Sequence, residues 1–339
     1  METKVFKPAE VAAAAKLIQA GELVAFPTET VYGLGADATN ITAVKQVYQA
    51  KGRPSDNPLI VHVADVATVE RFAKPLSFAA KKLIKAFWPG PLTMIFNLKP
   101  AALAPEVTGG LTTAAFRNPN NAATLSLIRA AGTPIVGPSA NTSGKPSPTT
   151  AQHVLHDLDG KIAGILDDGA TQVGVESTVL DLSGQQPAIL RPGAVTASEI
   201  EAVIGEKVMT EQHHVGATEV PKAPGMKYKH YAPDAQVYIV DCLEDWPAAL
   251  AWAGKQSVQM GVMATDAILT NNQLPANCEQ FSLGDDVQSA SRELFAGLRH
   301  FDTETKIKDI LCQAFDNTGL GAAYMNRLNK SAGQTHFRV

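Results

Sequence analysis

Residues 8–26 read PAEVAAAAKLIQAGELVAF, and this stretch sets the fold class of the chain. Apolar residues recur with helical spacing after Pro8, and the pattern stops at Gly21, a residue that commonly ends a helix. The next apolar run, residues 23–26, is short and uninterrupted and ends before Pro27, which is typical of a buried strand. A helix followed at once by a strand predicts the start of an α/β domain.

The same alternation continues outward through the first 205 residues. It predicts further helices near 41–51, 76–87, 121–131 and 197–204, and strands at 59–63, 93–98, 133–136, 177–182 and 188–190. Residues 206–234 then lose all periodicity and contain several prolines, which indicates a linker between domains. We therefore predict a mixed α/β domain over residues 1–205.

The last third of the chain returns to alternating elements. Its predicted strands lie at 237–240, 258–263 and 310–312, and its predicted helices at 243–254, 286–299 and 320–331. Strands that alternate with helices favour a largely parallel sheet. Residues 235–339 are therefore predicted to form a smaller, Rossmann-like doubly wound domain.

Composition and charge narrow the function classes. The chain has 339 residues, more than one hydrophobic core usually organises, and its hydrophobic fraction of 45% is that of a globular protein. The net charge is −4, whereas proteins whose main task is to bind nucleic acid usually carry an excess of basic residues. Any contact with tRNA is therefore expected to be indirect. No apolar run approaches the length of a membrane span, so no membrane association is expected.

The three cysteines, Cys242, Cys278 and Cys312, are isolated in the last third of the chain. Their spacing suggests neither a disulfide framework nor a thiolate metal site, and a reducing cytoplasm is the expected location.

Three motif matches fail on their context. Residues 33–38 fit the spacing G-x-G-x-x-A of dinucleotide-binding folds, but residues 27–30 interrupt the strand before them, so a glycine turn is the simpler interpretation. Residues 137–141 resemble a nucleophile elbow, but Asn141 replaces its final glycine. Residues 137–145 imitate a phosphate loop with the wrong glycine spacing, and Pro146 follows where a magnesium-binding hydroxyl is required.

Two polar clusters remain as candidates for a binding site. Lys51 and Arg53 leave a predicted helix together, just before Asn57, and such a fork of cations suits a polyphosphate. A solvated helix end is the alternative. Ser139 and Asn141 begin a loop of small hydroxyl and amide groups directly after a predicted strand, where ligands often bind, although a simple polar turn would look the same.

Three further residues occupy positions where apolar residues would be expected. Arg117 and Arg191 each end an apolar strand, and both could face one cleft. His62 lies within the strand at 59–63, where a neutral core histidine is the more ordinary interpretation. No group of residues has metal-ligand spacing.

Taken together, these motifs resemble the YrdC-type domain. The segments that carry the resemblance are FPTETVYGLG at 26–35, KGRP at 51–54, NPLIVH at 57–62 and PSAN at 138–141. STV at 177–179, LRPG at 190–193 and APGMKYKHYAP at 223–233 extend it to the two-domain threonylcarbamoyl-AMP synthases. The resemblance implies a YrdC-like catalytic domain at 1–205 with a twisted open α/β sheet and a concave cleft. The basic and aromatic residues clustered at 227–231 further suggest that the linker at 206–234 acts as a lid over the active site, with an ordinary tether as the alternative.

The resemblance also assigns the site residues. The residues implied for ATP are Lys51, Arg53, Asn57, Thr113, Ser139, Asn141, Ser147, Arg191 and Tyr231, of which Lys51, Arg53, Ser139 and Asn141 are the expected catalytic residues. The residues implied for L-threonine are Thr30, His62, Arg117, Gly137 and Ser177. Mg²⁺ is expected with ATP, held mainly by the phosphates, and no organic cofactor is expected.

The implied reaction joins L-threonine, bicarbonate and ATP into L-threonylcarbamoyladenylate with release of pyrophosphate. A separate threonylcarbamoyl transferase complex would then modify tRNAs that read codons starting with A. Two alternatives stay open: an RNA-binding module without synthase activity, and a carbamoyltransferase module that uses carbamoyl phosphate.

Overall fold

The computed structural model describes residues 2–210, 221–222, 230–303 and 307–338. The chain forms two compact units. Unit 1 contains Met1–Ser143, Pro148–Gln172 and Glu176–Tyr228, and unit 2 contains Gly144–Ser147, Val173–Val175 and Lys229–Val339. Most of the predicted linker and lid, at 211–220 and 223–229, lies outside the described residues.

Unit 1 is a mixed α/β structure. Its strands are β1 (Lys4–Phe6), β2 (Val24–Phe26), β3 (Gly33–Asp37), β4 (Ile60–His62), β5 (Leu92–Asn97), β6 (Thr113–Arg117), β7 (Ile135–Val136), β8 (Gly164–Leu166), β9 (Thr178–Asp181) and β10 (Ala188–Arg191). Its helices are α1 (Val11–Gln19), α2 (Ile41–Lys51), α3 (Val66–Phe72), α4 (Phe78–Phe87), α5 (Pro105–Thr108), α6 (Ala122–Ala131), α7 (Ala151–Leu158) and α8 (Ala197–Ile204).

The strands of unit 1 form one sheet in the order β1-β8-β2-β3-β7-β4-β6-β5-β9-β10. Pairing is mixed: β4 is parallel to β6 and antiparallel to β7, for example. The sheet order brings the ends of β4, β6 and β7 next to one another, although these strands are far apart in the sequence.

Both faces of this sheet are covered. Val24 and Phe26 of β2 belong to a core cluster with residues of α1 and α6, whereas Ala25 belongs to a second cluster with residues of α2. Successive strand residues point to opposite faces. A strand that is buried on both faces must be apolar throughout, which explains the uninterrupted run at 23–26.

Unit 2 is smaller and its described sheet is parallel. Its strands are β11 (Gln236–Val240), β12 (Gln259–Ala264), β13 (Cys278–Ser282) and β14 (Ile307–Gln313), in the order β11-β14-β12-β13. Its helices are α9 (Trp246–Ala253), α10 (Asp266–Asn271), α11 (Val287–Thr303) and α12 (Gly319–Ala332). The predicted fold class is confirmed in both parts of the chain.

The glycine turn predicted at residues 33–38 is wrong, because Gly33–Asp37 forms strand β3. The two glycines serve close packing. A Cβ atom on Gly33 would lie 2.7 Å from the Phe26 ring, and one on Gly35 would lie 2.6 Å from the main-chain oxygen of Val24. The glycine spacing therefore lets β3 pair tightly with β2.

Several elements lacked a usable sequence signal. Strand β13 was not predicted because its residues, CEQFS, are mostly half-buried and show no apolar alternation. Strands β1 and β8 and helices α3 and α7 are short and were also missed. Within the part of the chain that the structure describes, no helix is both long and apolar enough to span a membrane.

Candidate active site

Lys51 ends helix α2 and holds the loop that follows β7. The Asn40 side chain accepts hydrogen bonds from the amides of Thr42 and Ala43 and so begins α2, and Gly52 ends the helix in the left-handed conformation. The Lys51 side chain is buried, and its Nζ donates to the main-chain oxygens of Ser139 and, at 2.6 Å, of Asn141. Lys51 therefore fixes the Ser139 and Asn141 loop in place.

Arg53 lies on the irregular segment that follows α2. Its Nη2 donates to the main-chain oxygens of Asn57 at 3.4 Å and Pro58 at 3.3 Å. Tyr48 supports the same segment by donating from Oη to the Asn57 oxygen at 3.2 Å. Burial raises the pKa of Tyr48 to about 12, so Tyr48 stays a hydrogen-bond donor at neutral pH. Asn57 itself is buried.

Arg117 forms a buried ion pair with Glu29. The distance from Arg117 Nη2 to Glu29 Oε2 is 2.7 Å, and both side chains are about 5% exposed or less. Arg117 Nη1 also donates to Thr30 Oγ1 at 2.9 Å, and Nε donates to the Gly90 oxygen at 3.4 Å. The guanidinium at the end of β6 is thereby oriented by the segment between β2 and β3.

His62 ends β4 and lies in register with Arg117 on the parallel strand β6. Burial, with a further contribution from Arg117, lowers the pKa of His62 to about 3. The ring is therefore neutral at physiological pH, as the sequence predicted. It meets Phe26 edge-on at 5.1 Å between ring centroids, and a Cβ on Gly137 would lie 2.7 Å from its Nδ1.

Ser177 joins two strands through hydrogen bonds. Its Oγ lies 2.8 Å from Thr93 Oγ1, in the neighbouring strand β5. Arg191, at the end of β10, donates from Nη2 to Ser177 Oγ at 3.2 Å and from Nε to the Ser177 oxygen at 3.1 Å. All three side chains are buried.

The remaining predicted site residues are not joined to these clusters by the contacts described above. Thr113 begins β6 and pairs with Asn97 on β5. Ser147 and Tyr231 belong to unit 2. There, Ser147 is fully buried, and Tyr231 has a positive φ of 66° and stacks 5.2 Å from Phe295.

Sequence reasoning missed Glu29 and Thr93, which hold predicted site residues in place. Glu29 carried little signal, because it lies between Thr28 and Thr30 in a stretch that is typical of a polar turn. Thr93 carried none, because threonine is an ordinary strand residue. No group of three or more His, Cys, Asp or Glu side chains that could hold a metal ion occurs among the residues whose structure is described.

The mixed sheet and its buried basic and hydroxyl groups belong to a YrdC-type domain. Residues 16–193 match the family model described as Telomere recombination, which groups Sua5, YciO and YrdC proteins. Residues 195–333 match a second model, described as Threonylcarbamoyl-AMP synthase, C-terminal domain.

Full-length relatives give the same result. The threonylcarbamoyl-AMP synthase of Bacillus subtilis (strain 168) is 48% identical, with 96% of this chain and 93% of the relative covered. That of Pyrococcus abyssi is 46% identical, with coverage of 96% and 95%. The crystal structure of P. abyssi Sua5 complexed with L-threonine matches with a TM-score of 0.91 and 42% identity over 100% of both chains.

The chain therefore belongs to the threonylcarbamoyl-AMP synthase family, in its two-domain form. It is an enzyme with that activity, a transferase of tRNA modification.

Proposed function

We propose that the enzyme converts L-threonine, bicarbonate-derived carbon dioxide and ATP into L-threonylcarbamoyladenylate and pyrophosphate. The observation that supports this most is the hydrogen bond from Arg191 to Ser177. The family resemblance assigns Arg191 to ATP and Ser177 to threonine. This direct contact would place the ATP and threonine subsites side by side, as a reaction between the two substrates requires.

The proposed ATP subsite contains Lys51, Arg53, Asn57, Thr113, Ser139, Asn141 and Arg191. Lys51 and Arg53 would neutralise phosphate charge, and the tether from Lys51 to the Ser139 and Asn141 loop would hold their polar side chains at the nucleotide. The assignments of Ser147 and Tyr231 to ATP rest on the family resemblance alone.

The proposed threonine subsite contains Thr30, His62, Arg117, Gly137 and Ser177. Arg117 would bind the α-carboxylate, since guanidinium groups match carboxylate geometry. The neutral His62 ring packs closely against the bare backbone of Gly137 and adds no charge to this subsite. The capture of L-threonine by P. abyssi Sua5 supports this choice of amino acid.

The proposed chemistry needs positioned groups more than a protein nucleophile. The threonine amine adds to carbon dioxide and loses a proton, and the resulting carbamate oxygen attacks the α-phosphorus of ATP as pyrophosphate leaves. The attacking oxygen is already anionic. Orientation of two bound reactants contributes up to about 7–11 kcal/mol to such a step, and fixed cations stabilise the charge that develops on phosphate.

The substrate is MgATP, with Mg²⁺ held mainly by phosphates and water. We further propose that the product passes to a separate threonylcarbamoyl transferase complex in the cytoplasm. That complex would modify the tRNAs that read codons starting with A, so contact of this enzyme with tRNA would be indirect.

Pyrophosphate release by the purified protein tests the proposal. L-threonine and bicarbonate are each added or omitted, and the adenylate product is identified by mass. We expect release only with both additions and its loss in Arg53→Ala. The matched control Arg129→Ala removes an exposed arginine of the same unit and should behave as wild type.

Each other outcome changes a different part of the proposal. Release with a different amino acid would replace threonine as the substrate, and turnover with carbamoyl phosphate would favour a carbamoyltransferase. No release, together with salt-sensitive tRNA binding, would favour an RNA-binding module.

A further inference from the structure

Glu29 has no role in the proposed function, yet its carboxylate is held in a defined position at the threonine subsite. It is 6% exposed and lies on the segment that connects β2 to β3. Thr28 Oγ1 accepts hydrogen bonds from the amides of Thr30 and Val31. The main-chain oxygen of Glu29 accepts a hydrogen bond from the amide of Gln172 at 3.1 Å. The carboxylate therefore extends from a backbone that is fixed on both sides.

The contacts of Arg117 determine which of its N–H groups remain for a ligand. A guanidinium has five N–H donors. The hydrogen bonds to Gly90 and Thr30 use one N–H on Nε and one on Nη1, whereas Nη2 meets Glu29 Oε2 at 2.7 Å as an ion pair without hydrogen-bond geometry. Both terminal nitrogens therefore keep an N–H for a ligand. Two N–H groups on neighbouring nitrogens are what a carboxylate needs for bidentate binding. Glu29 and Thr30 therefore decide where this pair of donors points.

The ion pair also sets the charge of the subsite. Arg117 alone would be a buried cation that attracts any small anion, including phosphate. Paired with Glu29 it forms a neutral unit that contains both signs. An α-amino acid is itself a neutral zwitterion, so a neutral pair suits it better than it suits a simple anion.

We propose that Glu29 is a positioning and specificity-determining residue for the amino-acid substrate. It orients the Arg117 guanidinium toward the α-carboxylate and balances its charge, so that the subsite selects an amino acid over simple anions. This inference rests on the proposed role of Arg117 in threonine binding.

Kinetics of Glu29→Gln test the inference, because glutamine keeps the size of the side chain and removes its charge. We expect the KM for L-threonine to rise about 10-fold or more, the loss typical of a displaced charge-assisted hydrogen bond, with the KM for ATP unchanged. We also expect inorganic phosphate to compete with threonine in Glu29→Gln and not in the wild type.

Glu29→Asp separates orientation from charge. The shorter side chain keeps the negative charge but moves it away from Arg117, so the KM for threonine should rise by less than in Glu29→Gln, with no competition by phosphate. This variant also keeps the test open if Glu29→Gln fails to fold. Asp181→Asn is the matched control: Asp181 is likewise 6% exposed and pairs with Lys222 at 3.0 Å, so it reports the cost of losing a buried carboxylate elsewhere in unit 1.

The outcomes distinguish this inference from the proposed function. If Arg117→Lys raises the KM for threonine and a folded Glu29 variant does not, the inference about Glu29 is wrong. If Arg117→Lys itself leaves the KM for threonine unchanged, the assignment of Arg117 to threonine has failed. An equal effect of Asp181→Asn on the KM for threonine would reduce the role of Glu29 to general stability and overturn the inference.

Discussion

Two buried cations of unit 1 are held in different ways. Lys51 Nζ donates to main-chain oxygens of Ser139 and Asn141, whereas Arg117 pairs with the carboxylate of Glu29. Carbonyl oxygens carry no formal charge, so those two contacts position the ammonium group without cancelling its charge. The carboxylate of Glu29 both positions and neutralises the guanidinium.

This difference matches two kinds of ligand. A positioned cation suits a polyphosphate, whose several negative charges it helps to balance. A neutral ion pair suits a zwitterion, which has no net charge to balance. The contacts given above thus distinguish the cations of the proposed ATP and threonine subsites by an acceptor as well as by the cation itself.

The largest effect is expected from Lys51→Ala. This change removes both the positive charge and the tether to the Ser139 and Asn141 loop, so kcat/KM for pyrophosphate release should fall by about 10² to 10³-fold, as when a preorganised charge-stabilising group is lost. Steady-state pyrophosphate release with saturating threonine measures it.

Lys45→Ala is the matched control for Lys51→Ala. Lys45 lies on the same helix, is 58% exposed and pairs with Glu106 at the surface. It should retain wild-type kinetics, since exposed ion pairs contribute little. Similar losses in both variants would mean that the integrity of α2, and not the buried charge, governs activity.

The next largest effect is expected from Arg117→Lys. Lysine keeps the charge and the pairing with Glu29 but lacks the planar fork of donors. We expect the KM for threonine to rise by about 10- to 100-fold with little change in the KM for ATP, which would separate the two subsites kinetically. The exposed Arg71→Lys serves as control. A rise in the KM for ATP alone would reverse the assignment of the two cations.

The elements that carry these cations could be predicted from the sequence, but the contacts between them could not. Helix α2 and strand β6 follow from apolar periodicity, and the residues at their ends were predicted as site residues. Lys51 meets Ser139 across 88 positions, and Arg117 meets Thr30 across 87. Those contacts depend on the strand order, which periodicity does not encode.

Glu29 shows most clearly that contacts between distant residues could not be predicted from the sequence. Its position between Thr28 and Thr30 indicates a polar turn, and its burial could be suspected only if a cation were known to lie opposite. Glu29 lies just before β3 and Arg117 ends β6. The sheet order β3-β7-β4-β6 separates these strands by only two others, so the ion pair depends on the strand order. The resemblance to a family assigns a role to Arg117 without explaining what orients it.

A smaller effect is expected from Gly137→Ala, which adds a methyl group to the threonine subsite. Its Cβ would lie 2.5 Å from the Phe26 ring and 2.7 Å from His62 Nδ1, and both rings are buried and have little room to move. We expect a loss of about 1–3 kcal/mol in the free energy of unfolding, as for other overpacked sites, and weaker threonine binding. Urea denaturation and calorimetric titration with threonine measure the two effects.

Gly184→Ala is the matched control in the same unit, since a Cβ there would approach no atom closer than 3.8 Å, the distance to the Gln186 oxygen. It should leave both stability and threonine affinity near wild type. Tight threonine binding by a folded Gly137→Ala variant would place the amino acid away from Gly137 and His62.

The smallest effect concerns the pH dependence that the threonine subsite gives to stability. Burial, assisted by Arg117, lowers the pKa of His62 from its ordinary value near 6.5 to about 3. Below pH 6.5 the unfolded chain gains a proton at His62 and the native chain does not, so this residue contributes stability above that pH and loses it as the pH falls toward 3.

The slope from one such group reaches about 1.4 kcal/mol per pH unit. Wild type and His62→Gln are therefore compared by urea denaturation between pH 7 and pH 5, with the exposed His156→Gln as control. The free energy of unfolding should fall less steeply with acidification in His62→Gln than in the other two proteins. Equal slopes in all three would mean that His62 takes up a proton in the native protein as readily as in the unfolded chain, so that the subsite would gain a positive charge as the pH falls through about 6.5.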